Sequence, residues 1–240
     1  MIELLFRLER KIHNSKLRLS IRDLMKGAIF DVDGTLLDSM AIWTKADTIY
    51  LARHNIIATE ELSRLFFNMT LEKSIAYMHD ELHIPDSPAL IKHDLLKIVE
   101  DFYEHEVELK DHMYDIIQKF KAKHIPMVIA TSNTKSIIEK ALSRLNVMDD
   151  FTYILTCDEA GVDKTTPAIY LKAAYYTNSS PSDTFVFEDA LHGASSAKEG
   201  GFKVVGVFDD YSKDYKHDLM AIADYYLESD EDYQHFLEDI

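Results

Sequence analysis

Gly27-Ala28-Ile29-Phe30-Asp31-Val32-Asp33-Gly34-Thr35-Leu36-Leu37-Asp38-Ser39 is the stretch on which the reading of this chain turns. Residues 27–30 are small or apolar and read as the end of a short buried strand. Two carboxylates, two residues apart, then leave the strand just before a Gly-Thr turn. Along an ideal strand such a pair shares one face, but where strand gives way to turn the alternation need not hold. Ligands of open α/β sheets bind outside the carboxyl ends of the strands. A carboxylate pair there is placed for a divalent cation and for phosphate chemistry. By itself the stretch is equally an Asp-Gly turn that ends a strand, so the rest of the chain must decide.

Outward from this point the pattern changes character. Ile42, Ala46, Ile49, Tyr50 and Arg53 recur at helical spacing and predict a helix over 39–55. Residues 56–105 read as amphipathic helices without a convincing strand, the segment 70–78 being a fair example. Beyond them short apolar runs at 126–131, 153–156, 184–187 and 203–207, with a brief one at 225–227, alternate with helical patterns near 136–145, 167–176 and 193–200. Such alternation predicts an α/β fold with a doubly wound parallel sheet. The helical block after the first strand is too long for a simple crossover and predicts a small all-helical cap domain. The expected division is an N-terminal extension at 1–24, a core at 25–38 and 107–240, and a cap at 39–106.

Composition narrows the function. The chain has 240 residues, 47% hydrophobic, enough for a sizeable core and a small second domain. A net charge of −16 argues against nucleic acid and anionic membrane as partners. It does not forbid an anionic substrate, which needs only local positive charge. The single cysteine, Cys157, rules out an intrachain disulfide and fits a reducing cytoplasm. No run of about 18 apolar residues suggests a membrane span. Residues 1–24 carry six Lys/Arg against three acids, with Leu5, Leu8 and Ile12 at helical spacing. They read either as an upstream leader or extension, or as a docking helix; a secretory or mitochondrial signal does not fit.

Three downstream stretches sit at strand ends. Thr131-Ser132-Asn133 closes the second apolar run where a helix begins, a place where unpaired N–H groups favour anions. Residues of these types are also ordinary helix caps. Lys164 precedes Thr166-Pro167, itself a good helix start with a cap and then Pro at the first position. Glu188-Asp189 ends the run 184–187; adjacent carboxylates repel unless a cation lies between them, although a chain with 42 acids also has many exposed pairs.

In this order the four stretches resemble the four motifs of the haloacid dehalogenase-like (HAD) phosphohydrolase superfamily. The layout is similar to its β-phosphoglucomutase/phosphoglycolate phosphatase-like branch with a helical cap. The resemblance implies that Asp31 is the nucleophile, forming an aspartyl-phosphate, and that Asp33 is general acid and then base. Gly34 would let the backbone approach the phosphoryl oxygens, Thr131 and the Ser132 amide would bind the transferring group, and Lys164 would neutralise its charge and hold Asp31. Mg²⁺ would sit on the Asp31 and Asp189 carboxylates, the Asp33 main-chain carbonyl, and Glu188 directly or through water. Thr165 stands where the family has a Pro, a departure that touches loop stiffness; Asp38 and Ser39 read as the cap of the next helix, and His192 as a loop or helix-start residue.

The expected activity is Mg²⁺-dependent hydrolysis of a small phosphate monoester. Sugar phosphates, phosphoglycolate, nucleotides and pyrophosphate all remain open, as does the oligomeric state. A phosphomutase is the alternative. Mutases of this type carry a His where this chain has Trp43, and an Arg in a cap loop where the comparable stretch offers Leu71; Lys45 and Lys73 are other sources of cap charge. A phospho-accepting receiver-like module is the non-enzyme alternative, disfavoured by length, by the helical insert and by Asp33. Trp43, Phe66, Phe67 and Met69 line either an apolar substrate slot or the cap core.

Overall fold

The computed structural model describes residues 25–67 and 69–240. The expectations for residues 1–24 and for the side chain of Phe67 lie outside the described part of the chain. Six strands, β1 (Gly27–Phe30), β2 (Met127–Thr131), β3 (Phe151–Thr156), β4 (Thr184–Glu188), β5 (Lys203–Val207) and β6 (Tyr225–Leu227), form one sheet in the order β3-β2-β1-β4-β5-β6. Every pairing is parallel. β1, β2 and β4 are buried along their whole length, as strands covered on both faces must be, which is why they read as unbroken apolar runs.

Neighbouring residues of each strand feed opposite layers. Phe30, Ile129 and Phe187 enter one hydrophobic cluster, whereas Ile29, Val128 and Val186 enter the other. On the first face Phe30 and Phe187 stack at 4.3 Å, and α5 (Met113–Ala122) and α11 (Asp230–Asp239) bring Phe120 and Phe236 against them. On the second face α8 (Ala168–Thr177) and α9 (Leu191–Glu199) contribute Tyr170, Ala173, Ala194 and Ala197. Small residues there let the helices approach the sheet closely.

Between β1 and α5 lie four helices: α1 (Met40–Arg53), α2 (Glu60–Phe67), α3 (Leu71–Asp80) and α4 (Pro88–His105). α3 and α4 begin with side-chain caps, Thr70 on Lys73 N and Ser87 on Leu90 N. The insert has its own buried contacts, including Tyr50, Ile75, Met78, Ile91 and Leu95. Phe66 is buried there, edge-on to Tyr77, and Met69 packs against the same cluster. Both are therefore core residues rather than slot residues, while Trp43 is 46% exposed. The chain enters and leaves the insert side by side: Leu37 bridges Leu109, Asp38 N donates to Glu108 O, and Lys110 N donates to Leu36 O.

Two local expectations need correction. Ser39 occupies the N-cap position of α1, but its side chain caps nothing. Pro167 is itself the N-cap of α8 rather than its first helical residue. The helices α5, α10 (Lys216–Ile222) and α11 lie outside the predicted segments, although Met113, Ile116, Ile117 and Phe120 of α5 stand at helical spacing. The remaining helices are α6 (Lys135–Arg144) and the short α7 (Cys157–Ala160). No helix among the described residues is long and apolar enough to cross a membrane.

Candidate active site

The carboxyl ends of β1, β2 and β4 converge where the strand order reverses direction, the crevice in which open α/β sheets bind ligands. The loop after β1 is wound tightly. Val32 O accepts the amides of Thr35, Leu36 and Leu37, and Gly34 N donates to Leu37 O. Gly34 has φ of 81°, and a Cβ there would lie 2.8 Å from Asp189 Oδ2. The loop thus needs glycine both for its backbone and for its closeness to the β4 end.

Asp31 is buried beside Lys164, whose ammonium donates to Asp31 Oδ1 and, at 2.6 Å, to Glu188 Oε1. The phenol of Tyr170 donates to the same Glu188 oxygen at 2.6 Å. Gly193, in the first turn of α9, makes room for this contact, since a Cβ would come 2.7 Å from Glu188 Oε1. Thr35 Oγ1 donates to Asp189 Oδ1 at 3.0 Å. Oxygens of Asp31, Glu188 and Asp189 all lie within 4.8 Å of one another. Burial, opposed by Lys164 and reinforced by Glu188, Asp189 and Asp33, raises the Asp31 carboxyl well above its ordinary range. Burial and then the Glu188 charge push Asp189 up to about 7. Burial disfavours the Lys164 ammonium, yet Asp31 and Glu188 outweigh it and hold the ammonium protonated above its usual range.

Three buried carboxylates around one ammonium leave an excess of negative charge on hard oxygen donors. That donor set fits a divalent cation.

Asp33 sits differently. It is partly exposed, and its partners are neutral. Ser39 Oγ donates to Oδ1 at 2.7 Å, the Tyr103 phenol donates to the same oxygen, and Asn133 Nδ2 donates to Oδ2 at 3.0 Å. This is where the Ser39 hydroxyl goes in place of capping α1. Tyr103 is fully buried on α4, and burial, followed by the Asp33 charge, raises its phenol so that it remains a donor.

Thr131 is fully buried at the end of β2, its Oγ1 accepting from Asn133 N at 3.0 Å. The hydroxyl proton is then left to donate. Ser132 is exposed and its hydroxyl pairs with the Cys157 thiol at 3.4 Å, so its side chain does not join the carboxylate cluster. His192 is exposed in the first turn of α9.

Several residues escaped the sequence reading. Tyr103 follows Ile91, Leu95, Ile98 and Val99 on the buried stripe of α4 and carries no mark that separates it from core. Lys110 donates to Gly34 O at 3.0 Å, Phe208 O at 2.7 Å and Asp209 Oδ2 at 2.8 Å, fastening the loop after β1 to the loop after β5. Asp209 is buried and adds its charge to the field at Asp189. Thr35, Ser39 and Asn133 lie within the motif stretches themselves, and Tyr170 ends the one that begins at Lys164.

The model of the haloacid dehalogenase-like hydrolase family matches residues 28–207. Validoxylamine A 7'-phosphate phosphatase of Streptomyces hygroscopicus subsp. limoneus is 25% identical over 215 residues, covering 83% of this chain and 90% of that protein. A phosphorylated carbohydrates phosphatase of Thermotoga maritima is 25% identical over 184 residues, covering 76% of this chain and 85% of that protein. Among solved structures, a Thermotoga maritima protein assigned as a β-phosphoglucomutase superposes with a TM-score of 0.78 at 24% identity, over 90% of this chain and all of the other, a likeness of fold. The chain belongs to the haloacid dehalogenase-like hydrolases, as a phosphohydrolase of that family.

Proposed function

We propose that this enzyme hydrolyses a small phosphate monoester, with phosphorylated sugars as the first class to try, through an aspartyl-phosphate on Asp31. The observation that carries the reading is the contrast at the strand end. Asp31 is buried against Lys164 and two further carboxylates, while Asp33, two residues on, is partly open and held by neutral donors. That contrast supports attack by the first carboxylate and proton transfer by the second.

Asp31 attacks phosphorus as the ester P–O bond breaks, and Asp33 gives its proton to the leaving oxygen. Asp33 then takes a proton from water, whose oxygen attacks phosphorus and frees Asp31 and inorganic phosphate. A mixed anhydride hydrolyses far more readily than the ester, so one hard step becomes two easier ones. Lys164, with one N–H beyond those given to Asp31 and Glu188, and the Thr131 hydroxyl supply donors to the phosphoryl oxygens, with the Ser132 amide and the open approach at Gly34 beside them. Mg²⁺ would be held by the Asp31 and Asp189 carboxylates, the Asp33 main-chain carbonyl, and Glu188 directly or through water. When bound it supplies charge neutralisation for the nucleophile and the transferring oxygens. The insert over 39–106 would serve as the cap that selects the leaving group.

Trp43 and Leu71, where mutases present cations, support water over a second phosphorylated substrate as the acceptor. The free Cys157 suits a reducing cytoplasm. The test is phosphate release from a panel of alkyl, sugar, nucleoside and aryl monophosphates, with and without Mg²⁺, beside Asp31→Asn. Mg²⁺-dependent release that is lost in the variant is expected. Release that persists in Asp31→Asn would remove the mechanism.

A further inference from the structure

We propose that Tyr103 is a positioning residue for the general acid: together with Ser39 it occupies Asp33 Oδ1 and so confines the acid proton to Oδ2. The inference rests on the acid role given to Asp33 above. Tyr103 and Ser39 both donate to Oδ1, whereas Asn133 alone donates to Oδ2. A carboxyl oxygen offers two lone pairs, and while both hydroxyls donate to it Oδ1 has no place for a proton of its own. In the neutral acid Oδ1 is therefore the carbonyl oxygen and Oδ2 carries the proton. As the ester P–O bond breaks, that proton passes from Oδ2 to the leaving oxygen. The carboxylate left behind keeps all three hydrogen bonds, and neither hydroxyl gives up its own proton.

Tyr103 can do this because it is fixed. It is 0% exposed on the last helix of the insert, edge-on to Phe102, with the side chains of Ser39 and Trp43 against its phenol oxygen. The acid of the sheet is thus aimed from the insert, by a group that bears no charge.

The test separates aiming the acid from binding phosphate. An alkyl leaving group needs a proton from the enzyme as the bond breaks, whereas para-nitrophenolate leaves without one. The ratio kcat/KM reports steps up to formation of the aspartyl-phosphate and ignores its hydrolysis. We expect Tyr103→Phe, which removes only an oxygen, to lower kcat/KM for the best alkyl phosphate by about 10- to 100-fold, and to affect para-nitrophenyl phosphate at least about tenfold less. Ser39→Ala should give the same pattern and decides the matter if Tyr103→Phe does not fold, as judged by its unfolding midpoint. Equal losses on both esters, or no loss on the alkyl ester in a folded variant, would overturn the proposal. Asp33→Asn serves as the reference. If it fails to discriminate between the esters, the acid role itself falls. If it discriminates and Tyr103→Phe does not, only the role of Tyr103 falls.

Discussion

The floor of the site and its roof solve opposite problems. At the strand ends, chain-distant charged groups crowd together out of water: Asp31, Lys164, Glu188 and Asp189, each buried. Under the insert, Asp33 meets a serine, a tyrosine and an asparagine, all neutral. Charge packed at low dielectric stabilises a charged transition state without reorganisation, which suits the part of the substrate common to every phosphate ester. Neutral donors fix geometry without adding charge, which suits a group whose proton must move. On the proposed function, phosphoryl transfer falls to the sheet, and the acid that serves the leaving group is held in part from the insert, by Tyr103.

Lys164→Met should break the floor alone and gives the largest effect. With the ammonium gone, Asp31 and Glu188 face each other uncompensated, and kcat/KM should fall by about a thousandfold. The loss should be the same for alkyl and aryl esters, unlike that of Tyr103→Phe. A thousandfold loss confined to alkyl esters would erase the division between floor and roof.

Lys110→Met sharpens the comparison by loosening the seam between the two. Lys110 and Asp209 are a largely buried pair, and removing the ammonium strands the Asp209 carboxylate beside two backbone carbonyls. Breaking such a pair costs about 3 kcal/mol, measurable as a lower midpoint in urea, with both ester classes slowed alike.

The smallest effect lies inside the insert. Burial pushes the Asp47 carboxyl up to about 6. The folded protein holds that proton to higher pH than the unfolded chain does. The ionised group therefore lowers stability progressively from about pH 4 to pH 6, and fully above that. Asp47→Asn should raise the melting temperature slightly near pH 8 and leave it unchanged near pH 4, as followed by circular dichroism across that range. A gain at acid pH instead would show that desolvation is not the cause.

The same division explains what the sequence made legible. Asp31, Asp33, Thr131, Glu188 and Asp189 belong to short stretches at strand ends, and strands buried on both faces announce themselves as apolar runs, while Lys164 stands in the loop between α7 and α8. Their order along the chain is what the family resemblance rests on. Tyr103 and Lys110 belong to no stretch. One sits at a spacing that any core residue of α4 would share, and the other in a polar turn beside Leu109. Their roles come from the fold bringing residues 70 and 76 positions apart into contact. No local pattern encodes such a meeting. Ser39 shows the converse error: its local context spells a helix cap, but a carboxylate from the preceding loop competes for its hydroxyl and wins.

The central claim, that Asp31 takes the phosphoryl group, is tested most directly by trapping it. Asp33→Asn, mixed with para-nitrophenyl phosphate, whose leaving group needs no acid, and Mg²⁺, should be quenched in acid within the first turnover, reduced with borohydride and mapped by mass spectrometry. The account predicts that residue 31 alone is converted to homoserine, the product of reducing an aspartyl-phosphate. Phosphate released by the wild type, with residue 31 unmodified in every quenched sample or the label on another side chain, would contradict it.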